Sequence, residues 1–163
     1  MIEHQFERVT AERFIEVYFS AAYNAAVAPL ANLSRRELIS ERAIDGGRVE
    51  RRIRMVPSIK LPGAVTRLLR GAAIEYTEVN TYDPATQQAH YRIESQAGER
   101  IKVWGVISFI ADGDGCRRRI EGDIVVRVPG LGRWVEKLIA DELEQRYARM
   151  QTFTQRYLDE QSR

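Results

Sequence analysis

The stretch that follows Gly132 constrains the fold most, because neither glycine nor proline occurs again before Arg163. Leu131, Trp134, Val135, Leu138, Ile139, Leu143, Tyr147, Met150 and Tyr157 recur at steps of three and four. Arg133, Glu136, Lys137, Asp141 and Glu144 occupy the opposite side, the pattern of one long amphipathic helix with an apolar stripe to bury. At about 1.5 Å per residue, some 30 residues extend roughly 45 Å. That exceeds a typical strand, so the turns from Gln155 to Arg163 are expected to overhang and fray.

What the helix can lie on is written in the preceding residues, which carry strand patterns joined by turn chemistry. Asp45-Gly46-Gly47 joins a strand Arg35 to Ile44 to its partner Arg48 to Val56, and Asp83-Pro84 joins Ile74 to Tyr82 to Gln88 to Glu94. Ala97-Gly98 leads into Ile101 to Ile110, and Asp112-Gly113-Asp114-Gly115 returns it as Cys116 to Val128. A first strand spans Ile2 to Val9. Thr10 then caps a short helix Ala11 to Phe19, and a second helix Ala21 to Ala28 stops at Pro29. Between Pro57 and Gly71 two prolines interrupt the meander, and Ala64, Val65, Leu68 and Leu69 lie at helical spacing. The order is strand, two short helices, six strands and a long helix. That is an α+β chain forming one domain over residues 1–163. An antiparallel sheet bent around a long helix leaves space that side chains of ordinary size do not fill, so a cavity between them is expected.

Composition excludes several functions. The formal charge is +2, with 22 Arg against 3 Lys interleaved by acids, so no single-sign field announces nucleic acid. Arg51-Arg52-Ile53-Arg54 and Arg117-Arg118-Arg119 sit beside Glu50, Glu121 and Asp123, which favours cross-strand pairing over an anionic-lipid patch. One cysteine, Cys116, and two histidines, His4 and His90, make neither a disulfide nor a Cys/His metal site. Both histidines are expected on solvated faces. No cofactor is indicated, and Cys116 has no neighbouring base to activate it. The N-terminus lacks an apolar leader segment, and no run approaches the ~18 apolar residues of a membrane span, so a cytoplasmic location is expected.

The order of elements resembles the START-like, or helix-grip, superfamily, which includes lipid-transfer domains and polyketide cyclase-like proteins. The resemblance is sharpest at Val126-Arg127-Val128-Pro129-Gly130-Leu131-Gly132-Arg133-Trp134-Val135-Glu136. This run is similar to the strand-to-helix junction of a bacterial branch in which a Val-Pro, a Gly and a helix-borne Glu recur. The resemblance implies a curved sheet of about seven strands around the helix, holding an apolar or amphipathic small molecule between the two. Fold alone does not fix the function.

Strand alternation supplies the candidate walls. Tyr76 and Glu78 share one face of their strand, and Tyr91 and Ile93 share one face of the next; inward tyrosines would orient a ligand head group. Glu78, if buried, would be an acid or base candidate. Val103, Gly105 and Ile107 alternate with Trp104, and both sets are apolar, so parity leaves open which faces inward. Ile124 on the last strand and Trp134 and Leu138 on the helix complete the expected cavity. Pro57, Ile59, Leu61 and Pro62 form an apolar loop suited to gating it or touching a membrane transiently. The expected function is a non-catalytic carrier or sensor of a hydrophobic, lipid-like molecule. The alternatives are a cyclase- or hydrolase-type enzyme using the same cavity, and a protein interaction module with a filled core.

Overall fold

A computed structural model describes residues 1–58, 63, 75–96 and 98–161. Seven antiparallel strands form one curved sheet. They are β1 (Ile2–Phe6), β2 (Leu33–Ala43), β3 (Val49–Pro57), β4 (Tyr76–Asp83), β5 (Gln88–Ser95), β6 (Ile101–Asp112) and β7 (Gly115–Val126). Their spatial order is β1-β7-β6-β5-β4-β3-β2. The chain therefore meanders from β2 to β7, and β1 closes the far edge with Ile2 opposite Ile120 and Phe6 opposite Cys116. Two short helices, α1 (Ala11–Tyr18) and α2 (Ala21–Val27), follow β1, and α3 (Gly132–Gln161) crosses the concave face.

Local chemistry explains the boundaries. The side chains of Thr10 and Ser20 accept hydrogen bonds from the amides of Arg13 and Tyr23, capping α1 and α2. The first strand stops at Phe6 rather than Val9, because Arg8 takes a φ of 55° and the Glu7 amide donates to Gln155 of α3. α1 and α2 plug one end of the sheet with an aromatic cluster. The Phe14 ring lies 4.6 Å from Phe6 and 5.6 Å edge-on from Phe109.

The junction into α3 shows what its motif accomplishes. The Glu136 carboxylate accepts the Val126 amide at 2.8 Å, tying the first turn of the helix to the end of β7. Gly130 supplies a φ of 74°, and a Cβ on Gly132 would come within 2.5 Å of the Val126 carbonyl oxygen. The run from Val126 to Glu136 is thus a hinge-free corner that sets the angle at which α3 leaves the sheet.

The far end of α3 is anchored, which corrects the expected fraying. Gln155 brackets Glu7 by accepting from its amide and donating to its carbonyl, and Arg8 pairs with Asp159 at 3.2 Å. Thr154 is fully buried, its hydroxyl 2.8 Å from that of Tyr23. The overhang is absent because the corner at Gly132 aims the helix across the sheet toward β1 and α2. Leu158, close to its end, is buried as well. Among the described residues no helix is long and apolar enough to cross a membrane.

Placing a methyl group at the corner tests this account. Gly132→Ala should lower unfolding free energy by about 1–3 kcal/mol, and Glu136→Ala, which strands the Val126 amide, by about 1–2 kcal/mol. Urea denaturation measures both, and wild-type midpoints would refute the role of the corner.

Candidate functional site

Between its two anchors α3 stands off the sheet and leaves a cavity of about 310 Å³. The sheet wall follows from alternation, since inward positions of four successive strands meet there: Tyr76 and Glu78, Tyr91 and Ile93, Ile101 and Val103, Ile120 and Ile124. The helix contributes Val135, Leu138, Ile139, Leu143, Tyr147 and Met150, while Tyr18 of α1 closes the inner end. Exposed Met1, Glu75, Gln96 and Glu144 belong to its rim, so the space reaches solvent.

The polar groups are few and held in place. Glu78 receives Asn80 Nδ2 at 2.5 Å and lies 4.0 Å from Arg36, whose Nε donates to Asn24 Oδ1. Asn24 in turn donates to the carbonyls of Tyr18 and Ser20, so the corner between the short helices is bound to the cavity wall. On the opposite wall Arg146 of α3 donates to the Tyr76 hydroxyl at 3.2 Å. Burial pushes the phenols of Tyr18, Tyr91 and Tyr147 above the ordinary tyrosine value, and neighbouring acidic groups add to the effect. They remain neutral hydroxyls at physiological pH, suited to hydrogen bonding rather than proton abstraction.

The structure brings Tyr76, Glu78, Tyr91, Ile93, Val103, Ile124 and Leu138 together on this cavity, with Pro57 at its edge. Ile59, Leu61 and Pro62 lie outside the described residues, as does the helical spacing from Ala64 to Leu69. Four expected cavity residues lie elsewhere. Trp104 is on the outer face, 41% exposed, because Val103, Ile107 and Phe109 take the inward positions of β6. Trp134 is 47% exposed on the outward side of the first turn of α3, where the corner turns Val135 inward instead. Ile107 is buried in the aromatic core beneath the short helices. Gly105 sits opposite Gly122, and a Cβ on it would fall 2.7 Å from the Tyr91 hydroxyl. The glycine pair is the seat of Tyr91, and Gly105 supports the wall without forming it.

His4 also departs from expectation. It lies on the inner face, opposite Arg118 across the β1–β7 ladder, and its Nδ1 is 3.1 Å from Arg118 Nη2. Burial and the adjacent guanidinium lower its pKa. His90 is exposed. Cys116 is buried, its thiol pushed up to about 11 by desolvation, and therefore unreactive. The arginine runs divide by parity. Arg52 and Arg54 pair with Glu94 and Glu75 on the outer face, and Arg117 and Arg119 with Glu3. Arg51 and Arg118 turn inward, Arg51 against the Phe19 ring and Arg118 fully buried. Arg36, Arg146, Arg118, Tyr18 and Tyr147 escaped the sequence reading. Arg118 and Tyr147 left a signal: Arg118 alternates in phase with Cys116, Ile120 and Ile124, and Tyr147 lies on the apolar stripe of the long helix.

The chain belongs to the family described as protein of unknown function (DUF2505), whose model matches residues 2–158. An uncharacterized protein of Mycobacterium tuberculosis, Rv0481c, is 33% identical over 108 residues, 63% of this chain and 60% of that protein. A counterpart in Mycobacterium bovis, Mb0491c, matches equally. The chain thus spans 60% of the length of these curated relatives. Among solved structures, the Zhui aromatase/cyclase of a Streptomyces species superposes with a TM-score of 0.70 at 16% identity, covering 99% of this chain and 94% of that one. TTHA0849 of Thermus thermophilus gives 0.67 at 16% identity, covering 99% and 97%. The two-domain aromatase/cyclase StfQ of the steffimycin pathway gives 0.57 at 11% identity, covering 98% of this chain and 46% of that one. The helix-grip fold is common to all of them.

The environment of His4 predicts a pH effect of definite sign. Its pKa is lower in the folded protein than the roughly 6.5 of an unfolded chain. The folded state thus binds fewer protons, and stability is lost as pH falls below about 6.5. The melting temperature of the wild type should drop further between about pH 7 and pH 5 than that of His4→Phe. Parallel curves for the two proteins would contradict the placement of His4.

Proposed function

We propose that this member of the family binds a hydrophobic or amphipathic small molecule between α3 and the sheet, and that it works as a carrier or sensor. The observation that carries the reading is the cavity of about 310 Å³ itself. It has predominantly aliphatic walls and a few anchored polar groups, the composition of small-molecule sites. An interior of this kind is poorly matched to an interaction module, whose core would be filled. The likeness to proteins titled aromatase/cyclase supports an apolar occupant of the same general kind. A lipid is one such molecule, delivered by transient contact with a membrane, and a cytoplasmic site of action suits an exchangeable carrier.

The arrangement favours binding over chemistry. Glu78 is engaged by Asn80 and Arg36, and the Tyr76 hydroxyl by Arg146. Among the described lining residues there is no histidine or cysteine to act as base or nucleophile. A cyclase would use the cavity to fold its substrate, and turnover abolished by Glu78→Gln with binding retained would establish that second reading.

Occlusion distinguishes the cavity from a surface cleft. Titration with a lipophilic fluorophore should give saturable binding, weakened at least about tenfold, or ~1.4 kcal/mol, by Leu138→Trp. Trp104→Ser, on the outer face, should leave it unchanged. Equal affinity in wild type and Leu138→Trp would sink the proposal.

A further inference from the structure

Arg118 presents a charge without a counter-ion. It is fully buried on β7, yet no carboxylate among the described residues pairs with it, and its Nε and Nη1 have no hydrogen-bond partner. Its single polar contact is Nη2 against His4 Nδ1 at 3.1 Å. The guanidinium is otherwise packed among rings, 5.0 Å from the centroid of Tyr147, 5.2 Å from Phe6 and 5.7 Å from Tyr18. Such contacts ease the burial of a cation but leave its N–H donors unmet. A buried, unpaired charge costs several kcal/mol, and a chain retaining one at this place has a use for it.

Arg118 is not itself part of the lining and lies directly behind the inner end of the cavity. Tyr18 and Tyr147, whose rings contact the guanidinium, and Ile120, two residues along the same strand face, all line it. Of the charged groups lining the cavity, Arg36 and Glu78 are engaged with each other and with Asn24 and Asn80, while Arg146 on the opposite wall has no ion-pair partner among the described residues and donates to the Tyr76 hydroxyl. With Arg36 and Glu78 cancelling, Arg118 leaves the inner end positive. Neutral phenols beside it offer hydroxyl donors, and the residues toward the rim, Ile93, Ile101, Ile124 and Leu138, are apolar.

We infer that the ligand is an apolar molecule bearing one carboxylate, which enters head first and lodges beside Tyr18 and Tyr147 as the counter-ion of Arg118. This deepens the binding reading and rests on it. The tyrosine hydroxyls meet the carboxylate oxygens, and the guanidinium behind their rings supplies the opposite charge at close range in a medium of low dielectric. An alcohol or hydrocarbon of equal size would leave that buried positive charge uncompensated and be discriminated against.

Paired probes test this at neutral pH, where the acids are ionised and the alcohols are not. Calorimetric titration of wild type with dodecanoate and dodecanol, and with naphthoate and naphthol, should show one acid bound at least tenfold tighter than its alcohol. Arg118→Met should erase that preference while retaining alcohol binding, and should unfold at a temperature no lower than the wild type, since it removes an uncompensated charge. Arg117→Met, next door on the outer face, should keep the preference. Equal binding of acid and alcohol by the wild type overturns the inference and leaves the binding reading standing. Absence of binding by all four probes and by the lipophilic fluorophore removes both. The wild-type comparison decides the matter even if Arg118→Met fails to fold.

Discussion

Two separated anchorages of one helix determine the rest of this structure. At its start α3 is locked to β7 by the Glu136 carboxylate on the Val126 amide and by the close approach that Gly132 permits. Near its end it is locked to β1 and α2 by Gln155 on Glu7 and by Thr154 on Tyr23. Fully buried positions of the helix are confined to Val135 near the first anchor and to Met150, Thr154 and Leu158 near the second. Between them it spans the curved sheet like a beam, and side chains from Leu138 to Tyr147 reach toward the sheet without filling the gap. A helix pinned at one end would collapse onto the strands, because apolar surface left open costs roughly 25 cal/mol per Å².

The opening is consequently a property of geometry rather than of small side chains. Where a small residue is required, it serves another purpose: Gly105 and Gly122 form the flat seat on which the Tyr91 hydroxyl rests. The polar residues obey the same economy. Asn24 ties the corner of the short helices to Arg36, and Arg36 meets Glu78, so the plug, the edge strand and the wall move as one unit. Beside that network, fully buried Arg118, with two guanidinium nitrogens unpartnered and no carboxylate among the described residues paired to it, points to an occupant.

The architecture was legible in the sequence because its signals are local. Asp-Gly turns, alternating strands and a terminal stretch free of glycine and proline each specify an element without reference to the others, and the seven strands and three described helices follow from them. The site was legible only in part. Tyr76, Glu78, Tyr91 and Ile93 were found because alternation assigns a face. The inward face of β6 stays open in the sequence because both of its faces are apolar, and only the packing of Phe109 and Ile107 under the short helices puts Trp104 outside. Trp134 failed for a related reason, since helical periodicity says which residues share a stripe but not how the corner at Gly132 rotates it. The runs Arg51 to Arg54 and Arg117 to Arg119 read as surface charge when taken as composition, whereas parity separates Arg51 and Arg118 from their outward neighbours. Arg36 and Arg146 had no local signature, as their place depends on the sheet curving around the helix.

The central claim is that the space beneath α3 holds a small molecule. The measurement that bears on it most directly is native mass spectrometry of the protein purified from its own host, with organic extraction of the same sample. The account predicts a discrete added mass that disappears on extraction and is recovered as an apolar compound. A bare polypeptide mass, unchanged after incubation with an extract of host small molecules, would contradict it.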